Sequence, residues 1–175
     1  MGFSGALGFE QLYGLYFNFT WRVLRHLGVP LASIDDAVQE VWIVVHQRLP
    51  AFEGRSSLKT WLFGIAFNVM RNQRRADERR ARLLAASPEH ERAEAPLDPE
   101  VEHLGREAWA EVQRFLFTLS DENRAIFVSS LLEHLPAKET AEATGVDVST
   151  VYQRVRALRL AFKTWLAQAE PEERP

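Results

Sequence analysis

Apolar residues in this chain recur at steps of three and four, the spacing of one helical face, and nowhere alternate long enough to make a strand. Phe9, Leu12, Tyr13, Tyr16, Phe17, Thr20, Val23, Leu24 and Leu27 share one side of a first helix near 8–27, which Gly28 and Pro30 end. A second helix is expected from Ser33. Ser33 with Asp36 makes a capping-box pattern, and Asp35 and Asp36 suit the positive end of the dipole. Its Ala37, Val41, Val44, Val45 stripe runs on to about Leu49, where Pro50 stops it. After the loop AFEGRSS, Ser56 or Ser57 caps a third helix with Leu58, Trp61, Leu62, Ile65, Ala66 and Val69 inward. This helix reaches about Leu84, and a break near Arg75 would divide it.

The third helix has a second side to explain. At 100° per residue, Lys59, Phe63, Phe67, Met70 and Arg74 lie away from the core stripe, beside Asn68, Arg71 and Arg75. Rings interleaved with amides and arginines suit single-stranded nucleic acid, where bases stack and cations hold phosphates. Taken on this helix alone, packing of Phe63 and Phe67 against another helix explains the pattern better.

Periodicity lapses over 85–103, AASPEHERAEAPLDPEVEH, which reads as a flexible linker. It returns in Trp109, Val112, Phe115, Leu116 and Leu119, and again after a Ser120 cap in Ala125, Ile126, Val128, Leu131, Leu132 and Leu135. The expected architecture is therefore all-α: a helical bundle over 5–84, the linker, and a second small helical domain over 104–170.

Composition narrows the classes. The 175 residues include no cysteine, which removes disulfides and thiolate metal sites and fits a reducing cytoplasm. No apolar run approaches the roughly 18 residues of a membrane span, and the N-terminus lacks a secretion-signal pattern, so a cytoplasmic location without membrane insertion is expected. The net charge of −3 hides an asymmetry. Arg71, Arg74, Arg75, Arg79, Arg80 and Arg82 outnumber the acids among them, whereas acids dominate 83–123.

The segment PAKETAEATGVDVSTVYQRVRALR, 136–159, carries a helix-turn-helix pattern. A helix begins at Pro136 or Ala137 and Gly145 ends it, with Ser149 capping the next. Ala141, Gly145 and Val151 stand at offsets of four and ten, supplying the close crossing, the turn and the anchor of such a pair. The second helix would enter the major groove through Ser149, Thr150, Tyr152, Gln153, Arg154 and Arg156, with Arg159 or Lys163 on phosphate.

DDAVQEVW at 35–42, FEGRSSLKTWLFGIAFN at 52–68 and LPAKETAEATGVDVSTVYQRV at 135–155, in this order, resemble the extracytoplasmic-function (ECF) sigma factors of bacterial RNA polymerase, which keep only conserved regions 2 and 4. The resemblance covers nearly the whole chain apart from the linker. It implies that Asp35, Asp36, Gln39 and Glu40 dock on the β′ clamp helices of core polymerase. It implies that Phe52, Glu53, Gly54, Arg55, Ser56 and Ser57 surround a flipped −10 base, with Lys59, Phe63, Asn68, Arg71, Arg74 and Arg75 along the melted strand and Trp61 supporting the pocket. The helix-turn-helix would read the −35 element beside the β flap. An anti-sigma factor is the further partner implied. Phe67, Thr140, Thr144 and Ala157, with Tyr152 and Gln153, depart from the family pattern, so the promoter is expected to be this chain's own.

Two other classes compete. A helix-turn-helix regulator would need a dimer seam or ligand pocket in its first domain. A metal-dependent nucleotide hydrolase would need carboxylates facing Asp35, Asp36, Glu40 and Glu53, and the third helix offers none before Asp77. His26, His46, His90, His103 and His134 lack ligand spacing. No catalytic residue, metal, cofactor or small-molecule substrate is expected.

Overall fold

The computed structural model describes residues 8–83 and 103–169. Seven α-helices run through them, and no strand occurs among the described residues. The first three, α1 (Phe9–His26), α2 (Leu31–Arg48) and α3 (Leu58–Leu83), pack pairwise into a bundle. Leu12, Val23, Leu24, Leu27, Val41, Val45 and Leu62 are wholly excluded from solvent at its centre. A short 3₁₀ turn, Leu49–Ala51, with Pro50 inside it, leads from α2 to the loop before α3.

Local chemistry explains where these helices begin, and it differs from expectation at α2. Pro30, at φ −60° and ψ 149°, presets the entry, so α2 starts at Leu31. Ser33 lies inside the helix, donating weakly to the Pro30 carbonyl at 3.4 Å instead of capping. At α3 the cap is Ser57, whose Oγ accepts from the Thr60 amide at 3.2 Å. The expected break near Arg75 is absent. Helix α3 continues unbroken for 26 residues because its charged half is built of good helix formers, with an Asp77–Arg80 pair one turn apart.

The remaining helices are α4 (His103–Thr118), α5 (Asp121–Phe127), α6 (Ala137–Thr144) and α7 (Val148–Ala169). His103, expected in the linker, opens α4; the rest of that linker lies outside the described residues. Phe115, Phe127, Phe162 and Trp165 form an aromatic core with ring separations of 5.1 to 5.9 Å. Ser120 caps α5 as expected, with its Oγ 3.4 Å from the Asn123 amide. Val128–Leu132 then widens into a π-turn. There the Ser129 hydroxyl, fully buried, donates to the Ala125 carbonyl at 2.7 Å, which is how a polar residue sits in this core.

The two helical units are in contact. Helix α6 lies along α3. The Arg124 guanidinium donates to the Leu116 and Leu119 carbonyls of its own unit and to the Leu27 carbonyl at the end of α1, at 2.8, 3.2 and 3.0 Å. Gly28 makes this approach possible. A Cβ there would sit 2.2 Å from the Arg124 Nη1, and its φ of +95° is one that L-residues avoid. Arg22 and Glu133 add an ion pair at 3.2 Å.

Candidate polymerase and nucleic-acid interface

Helix α2 presents its polar edge to solvent because Ala37, Val38, Val41, Trp42 and Val45 face the bundle. Asp35, Asp36 and Gln39 are exposed, and Glu40 is half-buried, accepting a hydrogen bond from Gln73 of α3 at 2.9 Å. The four candidate docking residues thus share one edge. Beside them opens an aromatic groove of about 520 Å³ between α1 and α2, walled by Phe9, Tyr13, Phe17, Trp42 and His46 and bordered by Asp35 and Gln39. The Trp42 indole N–H is buried there without a hydrogen-bond partner among the described residues.

Sequence periodicity missed this groove. It assigned Phe9, Tyr13 and Phe17 to the core stripe of α1, yet Tyr13 is 41% exposed, its ring 4.9 Å from that of Trp42. The available signal was Ile43, an apolar residue on the polar side of α2, now 51% exposed at the groove.

The loop before α3 is braced by its own contacts. Phe52 stacks on Trp61 at 4.8 Å, Glu53 pairs with Arg55 at 2.9 Å, and Gly54 and Ser56 are half-buried. Trp61 therefore braces the loop. Along α3, Asn68 and Arg75 are exposed, Lys59 lies over the Phe19 ring at 5.7 Å, and Arg71 over the Phe67 ring at 5.4 Å. Phe63 does not belong with them. It is fully buried, as is Phe67 to within 1%, so neither ring is available to stack on a base. Burying an aromatic is strongly favourable, which keeps both rings inside the fold.

Two further candidates on this side are engaged by acids of the second unit. The Ser57 hydroxyl donates to Glu139 Oε2 at 2.8 Å, and Thr60 donates to the same oxygen. Arg74 is paired with Asp121.

In the helix-turn-helix, Gly145 takes φ +73° and closes α6, as its position predicts. The cap of α7 is Asp147, not Ser149. Its Oδ1 accepts from the Ser149 amide at 2.8 Å and hydroxyl at 2.6 Å, and these bonds hold its carboxyl below the usual range. A carboxylate two residues earlier reaches the helix's free amides better than a hydroxyl already inside it. Val151 and Leu158 are buried, which turns Ser149, Tyr152, Gln153, Arg156 and Arg159 outward; Tyr152 is 66% exposed. Thr150 and Arg154 are half-buried, and Arg154 pairs with Glu122 at 2.6 Å. Thr144 bonds back to the Thr140 carbonyl at 2.7 Å and Thr140 meets Ser130 at 3.0 Å, so both hydroxyls are satisfied at these two departures from the family pattern.

No cluster of three or more metal-ligating side chains occurs among the described residues. What the two units present is a carboxylate–amide edge on α2, a braced loop before a basic α3, and a row of outward polar side chains on α7. Residues 12–80 match the family model of sigma-70 region 2, and residues 109–161 that of sigma-70 region 4. The ECF RNA polymerase sigma factor SigC of Mycobacterium tuberculosis is 31% identical over 87% of this chain and 78% of its own. The ECF RNA polymerase sigma-E factor of Escherichia coli K12 is 30% identical over 77% of this chain and 74% of its own. Among solved structures, the sigma factor RpoE of Bartonella quintana, in complex with the anti-sigma factor NepR, superposes with a TM-score of 0.74 at 20% identity, over 95% of this chain and 98% of that one. The chain belongs to the ECF sigma factors of the sigma-70 family, which are transcription initiation factors.

Proposed function

We propose that this chain docks on core RNA polymerase through the Asp35, Asp36, Gln39 and Glu40 edge of α2 and directs initiation at promoters of its own. The loop from Phe52 to Ser57 and the exposed side of α3, with Lys59, Asn68, Arg71, Arg74 and Arg75, receives the melted −10 strand. Ser149, Thr150, Tyr152, Gln153, Arg154, Arg156 and Arg159 of α7 receive the −35 duplex. The chain acts in the cytoplasm, catalyses no reaction itself and needs no cofactor. An anti-sigma factor is its regulatory partner; the sigma factor RpoE, whose structure is similar to this one, was solved in complex with the anti-sigma factor NepR.

The observation that carries this reading is the outward set of α7 polar side chains in the same chain as the solvent-facing acid–amide edge of α2. A groove reader needs the first, and a surface that sets register against another protein needs the second.

The test is transcription of fragmented genomic DNA by core polymerase with and without the chain. Discrete new starts, with two shared upstream elements, are the expected result. No new starts and no co-elution with core polymerase would return the chain to the class of ordinary helix-turn-helix regulators.

A further inference from the structure

Two arginines, one from each unit, are buried where α1 ends. Arg25 of α1 is 8% exposed and Arg124 of α5 is 5% exposed. Buried arginines are ordinarily paired with carboxylates. These two meet neutral acceptors instead. Arg25 donates through Nη1 to the Val29 carbonyl, and Arg124 donates to the carbonyls of Leu27, Leu116 and Leu119. Nη2 of Arg25, which carries two N–H groups, is buried and finds no acceptor among the described residues. Both arginines, with His26, Gln113, Leu116 and Phe117, wall a pocket of about 10 Å³, and no carboxylate among the described residues lines it. The acid that favours the charge of Arg124 is Asp121, and that acid is already bound to Arg74. Burial pulls the pKa of both guanidiniums down, as it does for charge that is not fully compensated.

We infer that this pocket binds one monoatomic anion of halide size, such as chloride, held between the Arg25 and Arg124 guanidiniums and joining the end of α1 to α4 and α5. Size selects the ligand first. The pocket admits one water-sized particle, which excludes phosphate, sulfate and carboxylate ligands. Charge selects next. A water molecule would accept from Nη2 and leave two buried cations uncompensated. An anion takes the same N–H groups and offsets both charges. The rest of the wall suits such an ion. Gln113 adds a half-buried amide, and Leu116 and Phe117 keep bulk water from competing.

Chloride itself is the probe. Urea unfolding of the full chain is followed at fixed ionic strength while sodium chloride replaces sodium gluconate, whose anion is too large for the pocket. One bound ion multiplies the folding equilibrium constant by one plus the ratio of chloride concentration to its dissociation constant. The constant should therefore rise about tenfold for each tenfold of chloride beyond half-saturation. Bromide should substitute for chloride, and crystals grown in bromide should show an anomalous peak between the two guanidiniums. Arg25→Gln keeps an amide donor and removes the charge; it should abolish both the chloride dependence and the peak. Arg48→Gln makes the same charge change at an exposed site on α2 and should leave both intact. If Arg25→Gln fails to fold, the wild-type chloride dependence and the bromide peak decide the matter by themselves. A wild type indifferent to chloride overturns the inference: without a bromide peak the pocket holds water, and with one it binds at crystal concentration only. Equal loss of the chloride dependence in Arg25→Gln and Arg48→Gln overturns it too, since that marks a general charge effect.

Discussion

Phe63 and Phe67 show how one residue's meaning depends on what lies opposite it. On the helical wheel both fall away from the Leu58–Val69 stripe, and near arginines they read as stacking platforms. In the folded chain Phe63 is wholly buried. Phe63→Ala should therefore cost about 3–5 kcal/mol, as for other buried aromatics, seen as a fall in the urea midpoint with or without DNA. Phe63→Leu should fold and retain oligonucleotide binding; loss of binding in a stably folded Leu variant would restore the stacking role. Asp147 carries the other residue-scale expectation. Its carboxyl is held below its unfolded range by bonds from Ser149, so its stabilising effect is present above the unfolded pKa and is lost as pH falls through the folded value. Asp147→Ala should lower the melting temperature at neutral pH, and Asp147→Asn should keep the cap but remove that acid sensitivity. Sequence reading placed the α7 start two residues late. It missed the cap because Ser149 and Asp147 are both good cap residues, and only the backbone decides between them.

At the scale of elements, the periodicity placed all seven helices but misjudged some of their surfaces. Helix α2 was legible because its acids and amides lie off an unambiguous Val and Ala stripe. The groove beside it was not, since an aromatic at a core spacing looks the same whether it is covered or left half open. Charge reversal at Asp36 and Glu40 together should reduce co-elution with core polymerase and leave the circular dichroism spectrum unchanged. A spectrum that collapses would instead mean that the Glu40–Gln73 bond is structural. Helix α7 was legible through the Ala141, Gly145, Val151 spacing, and the burial of Val151 and Leu158 fixes which side faces out. Arg154→Ala should weaken use of a mapped −35 element by about tenfold, the scale of one lost base or phosphate contact of 1–3 kcal/mol. It should also remove the Glu122 ion pair without loss of stability beyond about 1 kcal/mol.

At the scale of the molecule, the linker composition foretold two units and suggested nothing of their docking. The reason is physical. A tether's sequence reports its own stiffness, whereas docking depends on distant groups such as Ser57 and Glu139, which are 82 positions apart. Their pairing leaves no periodic trace. The salt response follows from the same contacts. Raising ionic strength should loosen the contact between the two units, because the Arg74–Asp121 pair is partly exposed, and small-angle scattering checks this as a rise in the radius of gyration.

Arg124 has a consequence for heating. Its guanidinium serves carbonyls at the ends of α1 and α4 and just beyond α4 at the same time, and burial disfavours its charge wherever those acceptors are lost. Neither half of the chain can melt without breaking its bond to the Leu27 carbonyl. Two small bundles that would otherwise unfold separately are thereby coupled into one calorimetric transition, with a van't Hoff enthalpy close to the total heat. With lysine at this position, the broad fork of donors becomes a single ammonium that cannot bridge three carbonyls. Arg124→Lys should split that endotherm in two, the helix-turn-helix half melting first.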